Sequence, residues 1–283
     1  MRDSQPSLTA LLVAAARALP GPLPAFDPDL GSQLGGATGS VLNLLATTKA
    51  GKLLARSAGF ALIEHIHLRT AAIDRAVQAA VAAGVRQVVV LGAGYDRRAW
   101  RLQALQACRV FEVDHPATQQ AKQRSLDTVS AQALQVEFVP VDFAVDNLDE
   151  RLTAHGHDCA TPTLWLWEGV TMYLPPAALA ATLTTVARRS ALHSQLALTY
   201  MTPQVLPGGR IARSIAHRAF VAVGEPLLGA MGRQQMQHLL QSHGFAQQSD
   251  TNNEQWASEH GGSALKALIF RCERLTIAQR FAA

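Results

Sequence analysis

Four carboxylates and a glycine pair are the residues whose types and spacing could do chemistry. Gly92-Ala93-Gly94 follows the β-branched run Gln87-Val88-Val89-Val90-Leu91, and Asp96, Asp114, Asp142 and Glu168 each stand at or just after an apolar run. Glycines directly after a strand let the backbone turn tightly and approach a ligand closely. Asp114 lies 20 residues beyond Gly94, the distance at which a ribose-binding carboxylate stands in a nucleotide-binding βαβ unit. A tight strand-to-helix turn that holds no ligand would show the same glycines. A dinucleotide fingerprint would continue to a third glycine, and that position is Arg97. Four carboxylates on one edge would repel a pyrophosphate. They complement a cationic sulfonium, a ribose and an adenine amino group, which favours S-adenosylmethionine over NAD.

Positioning those acids requires a sheet. The continuous β-branched run at 87–91 predicts a strand buried on both faces, and further strands read at 110–113, 136–141, 164–167 and 196–200. Helical spacing falls between them. Residues 41–83 read as helices, Pro175-Pro176 opens a helix over 177–189, and Met236–Leu240 ends one before Gly244-Phe245. Further strands are expected near 245–250 and 265–271. Alternation of this kind predicts an α/β fold, a parallel sheet with helices on both faces. Leu8, Leu11, Leu12, Ala15 and Leu19 have amphipathic-helix spacing, so the N-terminus reads as a helix and not as a secretory leader; Arg17 stands where a leader needs small neutral residues.

Composition narrows the classes. Of 283 residues 48% are hydrophobic and 16% charged, which excludes a disordered chain. The net charge of +4 is sorted along the sequence: residues 91–168 carry 11 acidic and 7 basic groups, whereas 169–224 carry 5 arginines and no acid. A uniformly basic nucleic-acid surface is therefore not expected. Cys108, Cys159 and Cys272 are scattered, and His65-x-His67 has poor chelate spacing on a helix, so neither disulfides nor a metal site is expected. No uncharged apolar stretch reaches membrane-spanning length, and a cytoplasmic location without membrane or nucleic-acid partners is expected.

Four motifs in order give the chain a family likeness. Leu91-Gly92-Ala93-Gly94-Tyr95-Asp96-Arg97-Arg98, Phe111-Glu112-Val113-Asp114-His115-Pro116, Val139-Pro140-Val141-Asp142-Phe143 and Trp167-Glu168-Gly169-Val170-Thr171-Met172-Tyr173-Leu174 resemble the leucine carboxyl methyltransferase family. The bacterial branch that includes tetracenomycin-type polyketide O-methyltransferases is the nearest likeness. Arg69-Thr70 with Asp74, Glu225-Pro226 and Gly244-Phe245 extend the resemblance over nearly the whole chain. The family's Asp-Thr-Arg is here Asp96-Arg97-Arg98, and Arg97 is expected to face solvent, the alternative being an inward side chain that contacts substrate or the cofactor carboxylate. The resemblance implies a Rossmann-like class I methyltransferase core over 85–283, an N-terminal helical cap over 1–84 and a lid around 201–230.

It also implies roles. Arg69 would pair with the methionine carboxylate of S-adenosylmethionine, the alternative being a surface bridge to Asp74 or Glu64. Gly92, Ala93 and Gly94 would form the floor, Asp114 would take the ribose hydroxyls, Asp142 and Phe143 the adenine, and Glu168 the methionine amino group; Asp142 and Glu168 could instead cap helices. His115 and Tyr173 are within reach of a role as base, and equally of a structural one. Arg210 and Arg213, three apart on an expected helix, could meet an acidic small-molecule acceptor or form a solvated basic face. The function expected is O-methylation of a carboxylate or hydroxyl. An NAD(P)-dependent oxidoreductase and an inactive methyltransferase-like binding protein are the alternatives.

Overall fold

A computed structural model describes residues 8–19, 60–126, 129–143, 145–203 and 228–282. Seven strands, β1 (Gln87–Leu91), β2 (Arg109–Asp114), β3 (Gln135–Pro140), β4 (Thr163–Trp167), β5 (Gln195–Met201), β6 (Phe245–Asn252) and β7 (Glu273–Arg280), form one sheet in the order β3-β2-β1-β4-β5-β7-β6. The first five are parallel; β7 runs antiparallel to both β5 and β6. Every residue of β1 and β4 is buried, which is why these central strands read as unbroken apolar runs.

Alternate residues of each strand serve opposite layers. Val88 and Val90 pack beneath α2 (Phe60–Ala82), whose Leu68, Ile73, Val77 and Ala80 recur at helical spacing. Val89 and Leu91 face the other layer with Trp165 and Trp167, against Leu148 and Leu152 of α5 (Leu148–Ala154) and Leu179, Leu183 and Val186 of α6 (Pro176–Arg188). Asn147 caps α5 by accepting hydrogen bonds from the Asp149 and Glu150 amides, and both acids sit in the positive first turn. Between them run α3 (Arg98–Arg101) and α4 (Pro116–Leu126); α7 (Arg233–Ser242), α8 (Asn253–His260) and α9 (Ala264–Ala267) complete the chain's second half. At the start, α1 (Leu8–Ala18) lies on α2, with Ala16 and Leu19 against Ile63 and Ile66. Among the described residues no helix is long and apolar enough to cross a membrane.

One expected strand is corrected. Residues 265–271 are not extended: Ala264–Ala267 is helical and Leu268–Phe270 a 3-10 turn. Ser263 caps the segment by accepting from the Lys266 amide at 3.4 Å, while Glu64 Oε1 accepts from the Ser263 amide at 2.5 Å. The local Ser263 cap and the distant Glu64 acceptor both favour a helical start over a ladder. The strand begins at Glu273 instead, with Leu275 and Ile277 on one face. The helices expected within 41–59 and the lid around 204–227 lie outside the described residues.

Candidate active site

The order β2-β1-β4 makes the carboxyl ends of β1 and β4 the switch point of the sheet, where open α/β sheets hold ligands. Gly92 leaves β1 there with φ +67°, and a Cβ on it would stand 2.6 Å from Val170 Cγ2. Only glycine fits there, because Val170 packs directly against the turn. Gly92 and Ala93 N–H both donate to the Val113 carbonyl, at 2.8 and 3.0 Å, which ties the loop to the end of β2.

Asp114 closes that end. One of its oxygens accepts from the Gly94 amide and the other from the His115 amide at 2.6 Å. Burial pushes the Asp114 carboxyl up from its ordinary range, and the two amides oppose that. A carboxylate offers about four lone-pair sites, so two remain to accept a pair of hydroxyls. The residues present therefore fit a ribose diol beside a glycine floor.

On the β4 side the expected row of free carboxylates is corrected. Glu168 is enclosed by three guanidinium groups: Arg17 Nη2 and Arg69 Nε donate to Oε1 at 2.6 and 2.9 Å, and Arg98 Nη1 donates to Oε2 at 2.8 Å. Asp96 accepts from the Arg98 amide at 2.7 Å and from its Nη1. Burial works against the Glu168 charge, yet Arg17, Arg98 and Arg69 hold its carboxyl well below the carboxylate range. Buried charges are tolerated when paired and hydrogen-bonded in this way.

The three arginines are not equally committed. Arg69 also donates to Glu273 Oε1 at 2.8 Å, and Arg98 to Asp74 Oδ1 at 2.7 Å, while Arg101 donates to Asp74 at 2.6 and 2.7 Å. Arg17 has Thr70 Oγ1 as its second partner, at 3.1 Å. Burial lowers Arg17 below the ordinary guanidinium range. Burial acts the same way on Arg69 and Arg98, but their carboxylates outweigh it and raise both. Neither alternative for Arg69 holds: it is buried, Asp74 belongs to Arg98 and Arg101, and Glu64 pairs with Lys266. Neither does helix capping by Glu168, whose carboxylate is taken by the three arginines.

Asp142 and Phe143 follow β3. The Asp142 amide donates to Asp146 Oδ2 at 2.9 Å, and α5 is capped by Asn147, so Asp142 caps no described helix. Phe143 is 48% exposed and lines a groove of about 260 Å3 with Leu148, Trp167, Val170 and Leu174. Its largely apolar walls, with Asp146 and Asn147 also in the lining, suit a flat heteroaromatic ring.

His115 Nδ1 accepts from the Ala117 amide at 3.2 Å, which leaves the proton of a neutral ring on Nε2, 3.9 Å from Asp142 Oδ2. Such a ring is turned toward Asp142 and has no lone pair left over as a base. Tyr173 ends a 3-10 turn over Thr171–Tyr173 and is partly buried. Arg210 and Arg213 lie outside the described residues. Arg97, expected to be solvated, is 6% exposed; it follows the buried Asp96 and precedes the buried Arg98, so the short α3 starts inside the protein.

Sequence reasoning misses Arg17, Arg98, His65 and Glu273. Arg98 stands inside the glycine-loop motif, and Arg17 is conspicuous as a charge in an apolar helix. His65 Nε2 lies 2.6 Å from Glu273 Oε2, 208 residues away in sequence, and no local pattern announces it.

The leucine carboxyl methyltransferase family model matches residues 10–187. A Streptomyces coelicolor protein named as a candidate S-adenosyl-L-methionine-dependent methyltransferase is 42% identical over 202 residues, 67% of this chain and 64% of that one. A Mycobacterium avium protein of the same description is 36% identical over 197 residues, 67% of this chain and 63% of its own. A second Streptomyces coelicolor relative is matched over 51% of each chain. This chain thus spans about half to just under two thirds of the length of the curated relatives it matches. Two crystal structures share the fold: a methyltransferase candidate of Thermobifida fusca (TM-score 0.60, 18% identity, 89% of this chain and 93% of that one) and a DUF574 family protein of Streptomyces avermitilis (TM-score 0.62, 15% identity, 89% and 100%). With the sheet order of a Rossmann-like class I methyltransferase and a family match over more than half its length, this chain belongs to the leucine carboxyl methyltransferase family.

Proposed function

We propose that the protein is an S-adenosylmethionine-dependent O-methyltransferase that modifies a carboxylate or hydroxyl of a small-molecule acceptor in the cytoplasm. The observation that carries this reading is the Gly92–Gly94 floor joined to the backbone-anchored Asp114 at the β1/β4 switch point, in a chain of this family. In it, Asp114 takes the ribose hydroxyls, Asp142 and Phe143 the adenine, Arg69 the methionine carboxylate and Glu168 the amino group. When bound, S-adenosylmethionine supplies a methyl group on a cationic sulfur. The protein's part is to align the acceptor oxygen in line with that methyl and to keep water out.

The cap over 1–84 and the lid around 201–230, with Arg210 and Arg213, would close over the acceptor. An acidic acceptor suits the stretch 169–224, which carries five arginines and no acid. His115, with its Nδ1 occupied by a backbone amide, gives no assistance to a phenol of pKa near 10. A carboxylate is already ionised at neutral pH and needs no base, which weights the reading toward a carboxyl acceptor.

The test is transfer of label from tritiated S-adenosylmethionine to a panel of small carboxylic acids, phenols, amines and thiols. Label recovered as base-labile methyl esters or as aryl ethers is the expected result. Transfer to nitrogen, carbon or sulfur acceptors alone would overturn the assignment to oxygen. Arg210→Glu/Arg213→Glu should raise KM for an acidic acceptor and leave KM for the cofactor unchanged.

A further inference from the structure

His65 is 2% exposed, on the same face of α2 as Arg69 four residues later. Its two ring nitrogens face two acceptors. Nδ1 stands 3.0 Å from Asn253 Oδ1, and Nε2 stands 2.6 Å from Glu273 Oε2. The Asn253 amide cannot be turned round without loss, because its Nδ2 donates to the Ala267 carbonyl at 3.2 Å. Nδ1 must therefore carry a proton. Nε2 carries one too if Glu273 is ionised, since a carboxylate only accepts. Glu273 also accepts from Arg69 Nη1 through its other oxygen. The ring lies against Phe270, with centroids 4.4 Å apart and planes 11° from parallel, and Trp256 stacks farther off at 6.2 Å. Aromatic faces of this kind favour a cation.

From this we infer that His65 is held as a buried imidazolium and acts as a positioning residue: it occupies Glu273 Oε2, so that Glu273 holds Arg69 through Oε1 alone and leaves that guanidinium aimed at the ligand site. Burial disfavours the Glu273 charge, but Arg69 and His65 hold its carboxyl down to about 2, in keeping with an ionised partner. With His65 uncharged or removed, both oxygens of a buried carboxylate fall to Arg69. The guanidinium is then drawn toward β7, away from Glu168 and from any anion placed beside it. The charged groups packed round the ring are Glu273 from β7 and Arg69 from its own helix; α8 contributes the neutral Asn253. The functional half of this inference rests on Arg69 as the seat of the methionine carboxylate.

Two measurements decide it. Ring nitrogen NMR of the selectively labelled full chain at neutral pH should show His65 with protons on both nitrogens; a single neutral tautomer there would overturn the inference whatever the variants do. Calorimetry then compares S-adenosylhomocysteine, which carries the amino-acid end, with 5′-methylthioadenosine, which lacks it. His65→Leu should weaken S-adenosylhomocysteine about tenfold and leave methylthioadenosine within about twofold, and His65→Gln, which keeps a neutral donor, should fall between. If Arg69→Met weakens S-adenosylhomocysteine selectively but both His65 variants bind like the wild type, the positioning role alone fails. If Arg69→Met leaves both ligands unchanged, the reading of Arg69 fails and takes that role with it. Should the His65→Leu chain not fold, the wild-type NMR and the His65→Gln titration decide between the same outcomes.

Discussion

Arg17 Nη2 lies 2.6 Å from Glu168 Oε1 and joins α1 to the end of β4 across 151 residues of sequence. The same helix sets Ala10 against the Gly94 turn, buries Tyr95 under Ala14 and Ala18, and is held to α2 by His67 Nε2 on the Ala16 carbonyl at 3.0 Å. Removing one member of a buried ion pair usually costs about 3–5 kcal/mol because the other charge is stranded. Here Arg17→Met leaves Glu168 with Arg69 and Arg98, so a smaller loss of about 1–2 kcal/mol is expected, with faster amide exchange over residues 8–19. Glu168→Gln leaves the buried Arg17 without a carboxylate and takes one from Arg69 and from Arg98, which keep Glu273 and Asp74, and should cost about 3–5 kcal/mol. Urea unfolding and hydrogen exchange check the order; equal losses for the two variants would contradict the shared carboxylate.

Gly92→Ala meets two separate obstacles. Its φ of +67° disfavours any Cβ, by about 1–2 kcal/mol, and the new methyl would press on Val170 Cγ2 at 2.6 Å. S-adenosylhomocysteine affinity should fall at least about tenfold. The double variant Gly92→Ala/Val170→Ala removes the clash but not the strain, so it should recover only part of the loss. Full recovery would show that the backbone conformation is not what matters.

Acid stability follows from Glu273. Folding depresses its carboxyl from 4.5 to about 2, so its contribution is present in full above pH 4.5 and is lost as pH falls through 2. At 1.36 kcal/mol per pH unit the full contribution is about 3 kcal/mol, of which about 2 should vanish between pH 6 and pH 3. His157 acts in the same direction over another window. Burial first, then Arg189, lowers it from 6.5 to about 4, so its contribution fades between those values. Urea midpoints of wild type and Glu273→Gln separate the two: the gap between them should narrow by about 2 kcal/mol on going from pH 6 to pH 3. A constant gap would mean that Glu273 is not depressed.

Much of the frame is legible in the sequence because the central parallel strands β1 and β4 are buried on both faces. Gln87–Leu91 and Leu164–Trp167 announce themselves as unbroken apolar runs. The antiparallel edge is legible only in part: the strand expected near 245–250 stands at Phe245–Asn252, whereas the one expected at 265–271 does not form. Leu265–Phe270 looks as apolar as a strand, and what decides its helical form is Glu64, which takes the Ser263 amide from 199 residues away. The carboxyl-edge acids can be found by their positions after strands, but their pairing cannot. Asp96 is paired by its neighbour Arg98, but Glu168 is neutralised by arginines brought from α1, α2 and α3, and spacing along the chain carries no trace of those long-range contacts. Arg97 escapes for a related reason: a charged residue reads as solvated until its neighbours are known to be buried.

The cofactor site is tested most directly by a calorimetric titration of the full chain with S-adenosylhomocysteine and 5′-methylthioadenosine, using wild type, Asp114→Ala and Arg69→Met. The wild type should bind one equivalent of S-adenosylhomocysteine. Asp114→Ala should weaken both ligands at least about tenfold, because both carry the ribose, and Arg69→Met should weaken only the one with the amino-acid end. Binding by Asp114→Ala and Arg69→Met indistinguishable from wild type would contradict a cofactor site built from Gly92–Gly94, Asp114, Arg69 and Glu168.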